Sequence, residues 1–176
     1  MFDLIYINKS KTICLTGHRP KHLPWGYDET KDSCVKFKEA LRNIFKKAIK
    51  YGIKYFLTGM AEGFDMIATE ILLSLKQTYK KIKIIAVIPC KGQEEKWSKS
   101  QIDRYHKILN DCDNIVTLSS HYSPSCMNNR NRYMINHSSF VIACFNGVDG
   151  GTKNTINFAK QYGCKVRLIN PSDYNM

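Results

Sequence analysis

Residues 127–155 read Met-Asn-Asn-Arg-Asn-Arg-Tyr-Met-Ile-Asn-His-Ser-Ser-Phe-Val-Ile-Ala-Cys-Phe-Asn-Gly-Val-Asp-Gly-Gly-Thr-Lys-Asn-Thr. The pattern is a polar helix carrying Arg130, then a buried strand from Phe140 to Phe145, then a glycine-rich loop that opens a second helix at Gly151-Thr152. This order sets bare backbone N–H groups and a helix N-terminus at the carboxyl end of a strand, where unpaired donors and the helix dipole stabilise an anion. Two other strand-to-helix junctions share the grammar. They are Thr16-Gly17-His18-Arg19-Pro20 and Thr58-Gly59-Met60-Ala61-Glu62-Gly63-Phe64-Asp65.

Working outward, Thr12–Thr16 is a short β-branched run ending at Gly17, and Pro20, Pro24 and Gly26 then impose a structured loop. From an N-cap at Asp32 or Ser33, Phe37, Leu41, Ile44, Phe45, Ala48 and Ile49 repeat at the spacing of one buried helical stripe. Ile53–Leu57 is expected as the second strand, Ile67–Leu75 as part of the next helix, and Lys81–Ile88 as the third strand. A weaker helix carrying Trp97, Tyr105, Ile108 and Leu109 follows, then strands at 114–118, 140–145 and 164–169. Alternation of strand and helix predicts an α/β fold, with a mainly parallel sheet of about six strands covered on both faces. Ligands of such sheets sit beyond the carboxyl ends of the strands, where all three glycine loops fall. Residues 12–176 are expected as one domain, with 1–11 an edge strand or N-terminal extension.

The chain has 176 residues and a formal charge of +12. That charge suits an anionic partner, although the lysines spread along amphipathic helices rather than forming one block. No apolar run approaches the roughly 20 residues of a membrane span, and Asp3 stands where a signal peptide wants a base; a cytoplasmic location is the expectation. The seven cysteines contain no Cys-x-x-Cys pair, so reduced, packed thiols and no metal site are expected.

Arg19 offers a planar fork for a phosphate, and His18 either packs or takes part in chemistry. Gly59 and Gly63, flanking Met60-Ala61-Glu62, let backbone approach a ligand. Asp65 in the following turn either complements a helix dipole or takes a ribose hydroxyl. Gly150-Gly151-Thr152 is the strongest phosphate signal. The many asparagines beside Arg130, including Asn131, are poor helix formers and point to polar contacts.

Thr16-Gly17-His18-Arg19-Pro20, Thr58-Gly59-Met60-Ala61-x-Gly63-x-Asp65, Pro89 with Gln93 and Trp97, Met127-x-x-Arg130-Asn131-x-x-Met134 and Gly150-Gly151-Thr152 together resemble the YpsA-like (DUF1273) family. That family lies in the SLOG superfamily with the Lonely Guy phosphoribohydrolases and the DNA-processing protein DprA. The resemblance spans Thr12 to Ile169 and implies a Rossmann-like three-layer sandwich and a nucleotide-type ligand. The phosphoribohydrolases carry Pro-Gly-Gly-x-Gly-Thr-x-x-Glu and an arginine as their catalytic pair. Arg130 matches that arginine and Gly151-Thr152 the Gly-Thr, but Thr155 stands in place of the glutamate, and a threonine cannot stabilise a cationic ribose as a carboxylate does.

The leading expectation is therefore binding of a nucleotide or an NAD- or ADP-ribose-derived small molecule, as a sensor or sequestering protein. Gly17, His18, Arg19, Gly59, Met60, Gly63, Asp65, Arg130, Asn131, Gly150, Gly151 and Thr152 are the candidate binding residues. A second expectation is a hydrolase cleaving an N-glycosidic or phosphate bond, with Asp65 or Glu62 supplying a carboxylate and Arg130 assisting. The third is single-stranded nucleic-acid binding through a basic groove with Trp25, Tyr27 and Trp97. No membrane partner is expected, and a homodimer is consistent with the resemblance.

Overall fold

A computed structural model describes residues 7–175. Six strands form one all-parallel sheet: β1 (Thr12–Gly17), β2 (Tyr55–Thr58), β3 (Lys83–Ile88), β4 (Asn114–Thr117), β5 (Phe140–Cys144) and β6 (Lys165–Ile169). The helices between them are α1 (Asp32–Lys50), α2 (Phe64–Lys76), α3 (Lys99–Asp111), α4 (Cys126–Asn136) and α5 (Gly151–Gln161). Spatial order is β4-β3-β2-β1-β5-β6, so the chain winds outward from β1 to β4, then returns to lay β5 against the other side of β1. The reversal leaves a crevice between the carboxyl ends of β1 and β5.

The four inner strands β1, β2, β3 and β5 are largely apolar because both their faces are covered, whereas the edge strands β4 and β6 stay largely exposed. Ile13, Leu15, Phe56, Ile84 and Ile142 pack with α1 and α2 residues such as Phe37, Leu41, Phe64 and Leu72. Their immediate neighbours Cys14, Leu57, Ile85 and Val141 face the other way, toward Met134 and Ile135 of α4 and Ile156 and Ala159 of α5. Alternation along each strand thus divides the helices between the two faces. All seven cysteines are free thiols, and six of them are buried.

Several boundaries differ from expectation for identifiable reasons. Ile53 and Cys164 are strand-like in sequence but close helices instead. Ile53 N donates to Ala48 O at 3.1 Å and Gly52 N to Ile49 O at 3.0 Å. Cys164 N donates to Ala159 O at 2.9 Å and Gly163 N to Lys160 O at 3.2 Å. Both are paired bonds that satisfy the last carbonyls of a helix through a left-handed glycine. The N-cap of α1 is Lys31, without a side-chain cap, so Asp32 is the first helical residue. Trp97 precedes α3, whose cap is Ser98, and sets its ring at 88° to Tyr105. Of the expected edge strand or extension at 1–11, residues 1–6 lie outside the described residues, and Lys9–Lys11 form a 3-10 turn. No helix is long and apolar enough to cross a membrane among the described residues.

A connection invisible in the sequence fixes the proline-rich loop after β1. Arg104 of α3 donates from Nη1 to Glu29 Oε1 at 2.5 Å and from Nη2 to Glu70 Oε2 at 2.6 Å, joining that loop to α2. Lys38 adds a bond to Glu29 Oε2 at 2.6 Å. Closer to the crevice, a Cβ placed on Gly17 would lie 2.6 Å from Phe64 Cβ and inside the phenyl ring's contact distance. Phe64 is fully buried and packs edge-on to Phe37, so it has little room to yield. Gly17→Ala is expected to lower unfolding stability by about 1–3 kcal/mol through overpacking, read as a shift in the denaturant midpoint at unchanged m-value.

Candidate functional site

A cleft of about 330 Å³ opens over the β1/β5 crevice. Its size falls in the range of small-molecule sites, roughly 300–1,000 Å³. The end of β1 contributes Thr16 and Gly17 and the loop after it His18, Arg19, Lys21 and His22; Ala61 comes from the loop after β2 and Asp65 from the first turn of α2; α4 contributes Met127, Asn128, Arg130 and Asn131; and Asp149, Gly150, Gly151 and Thr152 close it at the start of α5. Nine of the twelve candidate binding residues meet here: Gly17, His18, Arg19, Asp65, Arg130, Asn131, Gly150, Gly151 and Thr152. Gly59, Met60 and Gly63 do not line it.

Those three stand behind the wall and hold it. Arg130 is only 7% exposed, donates from Nη1 to Gly59 O at 2.7 Å and from Nε to Asn131 Oδ1 at 2.8 Å. A Cβ on Gly59 would lie 2.5 Å from Arg130 Cζ, so glycine is what lets the guanidinium reach the backbone. Met60 is fully buried with φ of +51°, a left-handed conformation that non-glycine residues rarely adopt. Gln93 Nε2 donates to Gly59 O at 3.4 Å and Met60 O at 3.3 Å, which pins the strained turn from the other side. Gly63, with φ of +86°, backs directly against the His18 carbonyl and starts α2.

Asp65 is 4% exposed and accepts from Ala61 N at 3.2 Å. Burial pushes its carboxyl above the usual range, opposed by the Arg130 charge, the Ala61 amide and Arg19. Burial likewise lowers the Arg130 guanidinium, with Asp65 opposing; arginine nevertheless stays protonated. Two buried opposite charges therefore address one cleft, yet among the described residues neither forms an ion pair within 4 Å. Arg19 reaches over the edge of the cleft with its guanidinium 5.9 Å from the Trp97 ring. At the far end, Gly150 is the N-cap of α5 and makes no side-chain cap, so the first amides of that helix point outward without intrahelical partners.

Glu62 lies on a different, shallower groove with Tyr27 and Arg19, and accepts from Tyr27 Oη at 3.3 Å. Thr155 is fully buried, and its Oγ1 donates back to Gly151 O one turn earlier in α5 at 2.9 Å. Sequence reading missed Lys21, His22, Met127, Asn128 and Asp149. The helical spacing of 127, 128 and 131 with Arg130 marks one face of α4 and carried that signal.

His18 is a junction between loops. Its amide donates to Cys144 O at 3.2 Å, its carbonyl accepts from Phe64 N at 3.1 Å, and its Nε2 accepts from Asn146 N at 3.1 Å. An accepting Nε2 is unprotonated, and burial with the nearby His22 holds the imidazole below its ordinary value. The unfolded chain thus takes up this proton first as pH falls, so the native state loses stability below about pH 6.5, down to the lowered native value. His18→Gln is expected to reduce the stability lost between about pH 7.5 and 5.5, measured by denaturant titration at each pH.

Residues 13–173 match the YpsA model, described as the YspA SLOG family. The uncharacterized SPbeta prophage-derived protein YoqJ of Bacillus subtilis (strain 168) is 34% identical over 156 residues, 80% of this chain and 91% of that protein. A UPF0398 protein of Halalkalibacterium halodurans is 25% identical over 170 residues, 93% of this chain and 89% of its own. Among solved structures, DNA processing protein A from Helicobacter pylori, described by its single-stranded DNA binding mode, matches with a TM-score of 0.62 at 18% identity, covering 94% of this chain and 71% of that one. DprA from Streptococcus pneumoniae matches at 0.59 and 19% identity, covering 91% of this chain and 50% of that one. At such identities these structures speak for the Rossmann-like fold alone. The family match runs from the first strand through the glycine loop of α5 to the last turn, and on it the chain belongs to the YpsA (YspA) SLOG family.

Proposed function

We propose that the cleft binds a nucleotide or an NAD- or ADP-ribose-derived small molecule, in a sensing or sequestering role. The observation that carries this reading is the pair of buried side chains of opposite type, Asp65 and Arg130, which feel each other's charge without direct contact and face one small cleft beside the free amides of α5. A phosphate at Gly150, Gly151 and Thr152 gains the helix dipole and several backbone donors, and Arg130 and Arg19 supply countercharge. Asp65, held by the Ala61 amide, accepts a ribose hydroxyl. A ligand that is anionic at one end and rich in hydroxyls at the other answers both charges, which a simple anion does not.

Turnover is a second reading, favoured by the raised Asp65 carboxyl. Burial moves this carboxyl in the direction that suits an acid donating its proton to a leaving group. The position of Thr155, hydrogen-bonded into its own helix, gives no carboxylate at the phosphoribohydrolase position, so a hydrolase of this chain would rely on Asp65. A third reading, a strand of nucleic acid across the cleft, is supported by the fold shared with the H. pylori protein.

The test is incubation with NAD, ADP-ribose, nucleoside monophosphates and cyclic dinucleotides, followed by mass spectrometry of bound and free pools. Unchanged ligand recovered with the protein is expected, and products that vanish in Asp65→Asn would establish catalysis instead. Removing a charged hydrogen bond costs about 1.5–3 kcal/mol. Arg130→Ala is therefore expected to weaken binding roughly 10- to 100-fold, with circular dichroism as the control for folding. If Arg19→Ala and Arg130→Ala leave every affinity untouched, the cleft is not the site.

A further inference from the structure

The opposite edge of the sheet, where the strands begin, holds a second concentration of charge. Lys11 precedes β1, Lys54 precedes β2 and Lys83 opens β3. Their backbones bond in succession, Lys54 N to Lys11 O at 2.9 Å and Lys83 N to Lys54 O at 2.7 Å. Neighbouring strands lie about 4.8 Å apart, so these cations are crowded by the fold itself. Asp113 neutralises Lys83 at 2.9 Å and Lys76 at 2.7 Å. Lys11, Lys54, Lys80 and Lys81 are exposed and make no ion pair within 4 Å among the described residues.

Two contiguous grooves, of about 410 and 430 Å³, run between these lysines and share Gly52 and Ile53. Their floors are apolar, with Ile53 and Ile82 buried, and neither is lined by an aspartate or glutamate among the described residues. Tyr51 stands on the rim, 89% exposed, just past the end of α1. Lys47 and Lys50 in the last turn of α1 already complement its dipole, so the four edge lysines are surplus to that need.

We propose that this edge is a binding surface for single-stranded nucleic acid, with phosphates on Lys11, Lys54, Lys80 and Lys81 and a base stacked on Tyr51. A cationic groove beside an exposed aromatic face is the combination that holds single strands without reading sequence. A lipid surface is matched less well, because it needs apolar side chains that project, and here Ile53 and Ile82 are recessed. The proposal is independent of what occupies the cleft.

The test is fluorescence anisotropy with a labelled oligothymidylate of about 15 nucleotides at several salt concentrations, all variants checked by circular dichroism. Wild-type protein is expected to bind, weakening steeply with salt. Combined Lys11→Glu, Lys54→Glu and Lys81→Glu is expected to lower affinity at least about tenfold and flatten the log–log salt slope by about 2. Tyr51→Ala is expected to lower affinity about fivefold or more, with Tyr51→Phe retaining it. Absence of wild-type binding overturns the proposal, as does loss confined to Arg130→Ala with the edge variants silent, which would place the strand in the cleft. Equal competition by inorganic polyphosphate or phosphatidylserine vesicles, with Tyr51→Ala silent, overturns the assignment to nucleic acid.

Discussion

A guanidinium taken out of water must find acceptors, and Arg130 finds one on the backbone of another loop. Its bond to the Gly59 carbonyl joins α4 to the end of β2, two segments 71 residues apart in sequence. That single requirement explains several neighbouring oddities. Gly59 has no side chain because the guanidinium occupies the space. Met60 accepts a left-handed backbone because Thr58 Oγ1 takes its amide at 3.2 Å and Gln93 takes its carbonyl at 3.3 Å, leaving no polar group of that turn to look elsewhere. The turn then aims Asp65 at the cleft. Strain, burial and charge are thus concentrated in one corner, where the rest of the chain is an orderly parallel sheet.

The sheet was legible because its physics is repetitive. Strands covered on both faces need continuous apolar runs, and helices that cover them need a stripe, so alternation gives the topology and the topology gives the crevice. Boundaries failed where one residue type serves two ends: Ile53 and Cys164 are apolar and strand-like, but each closes a helix through a left-handed glycine before the ladder begins. The cleft was legible in its composition and less so in its depth. Sequence marks glycines at a strand end without telling whether the missing side chain leaves open space, as at Gly150 and Gly151, or makes room for the protein, as at Gly17 and Gly59. The Arg104 network was not legible at all, because Glu29, Glu70 and Arg104 are ordinary surface residues until the fold brings them together.

Kinship with the phosphoribohydrolases makes the departure at Thr155 informative. A glutamate there would project from the first turn of α5 beside Arg130's helix. The threonine instead turns its hydroxyl to Gly151 O within its own helix, which leaves the first amides of α5 available. Of the two carboxylates in the cleft, Asp149 stands at its rim and Asp65, in the first turn of α2, is deeply buried. With threonine in that position and the arginine retained, the carboxylate that would complement a sugar cation is missing there, which is the ground for proposing an anionic ligand.

Both edges of the sheet now acquire a reason. The parallel strands all run one way and their crossover helices all run back the other, so helix N-termini gather above the carboxyl ends of the strands and helix C-termini below the amino ends. Above, positive dipole ends make a place for negative charge, and the fold adds Arg19, Lys21 and Arg130 but tempers them with Asp65 and Asp149. That mixture favours a compact ligand with distinct ends. Below, negative dipole ends invite lysines, and more lysines stand there than the helices require, with no acid in the grooves between them. An excess of one sign, with Asp113 already taken by Lys76 and Lys83, is poorly suited to select among small molecules and well suited to a polymer of the opposite sign, which gains with each added charge. Under the two proposals, the polarity imposed by parallel winding separates a selective site from a cumulative one on a single small sheet.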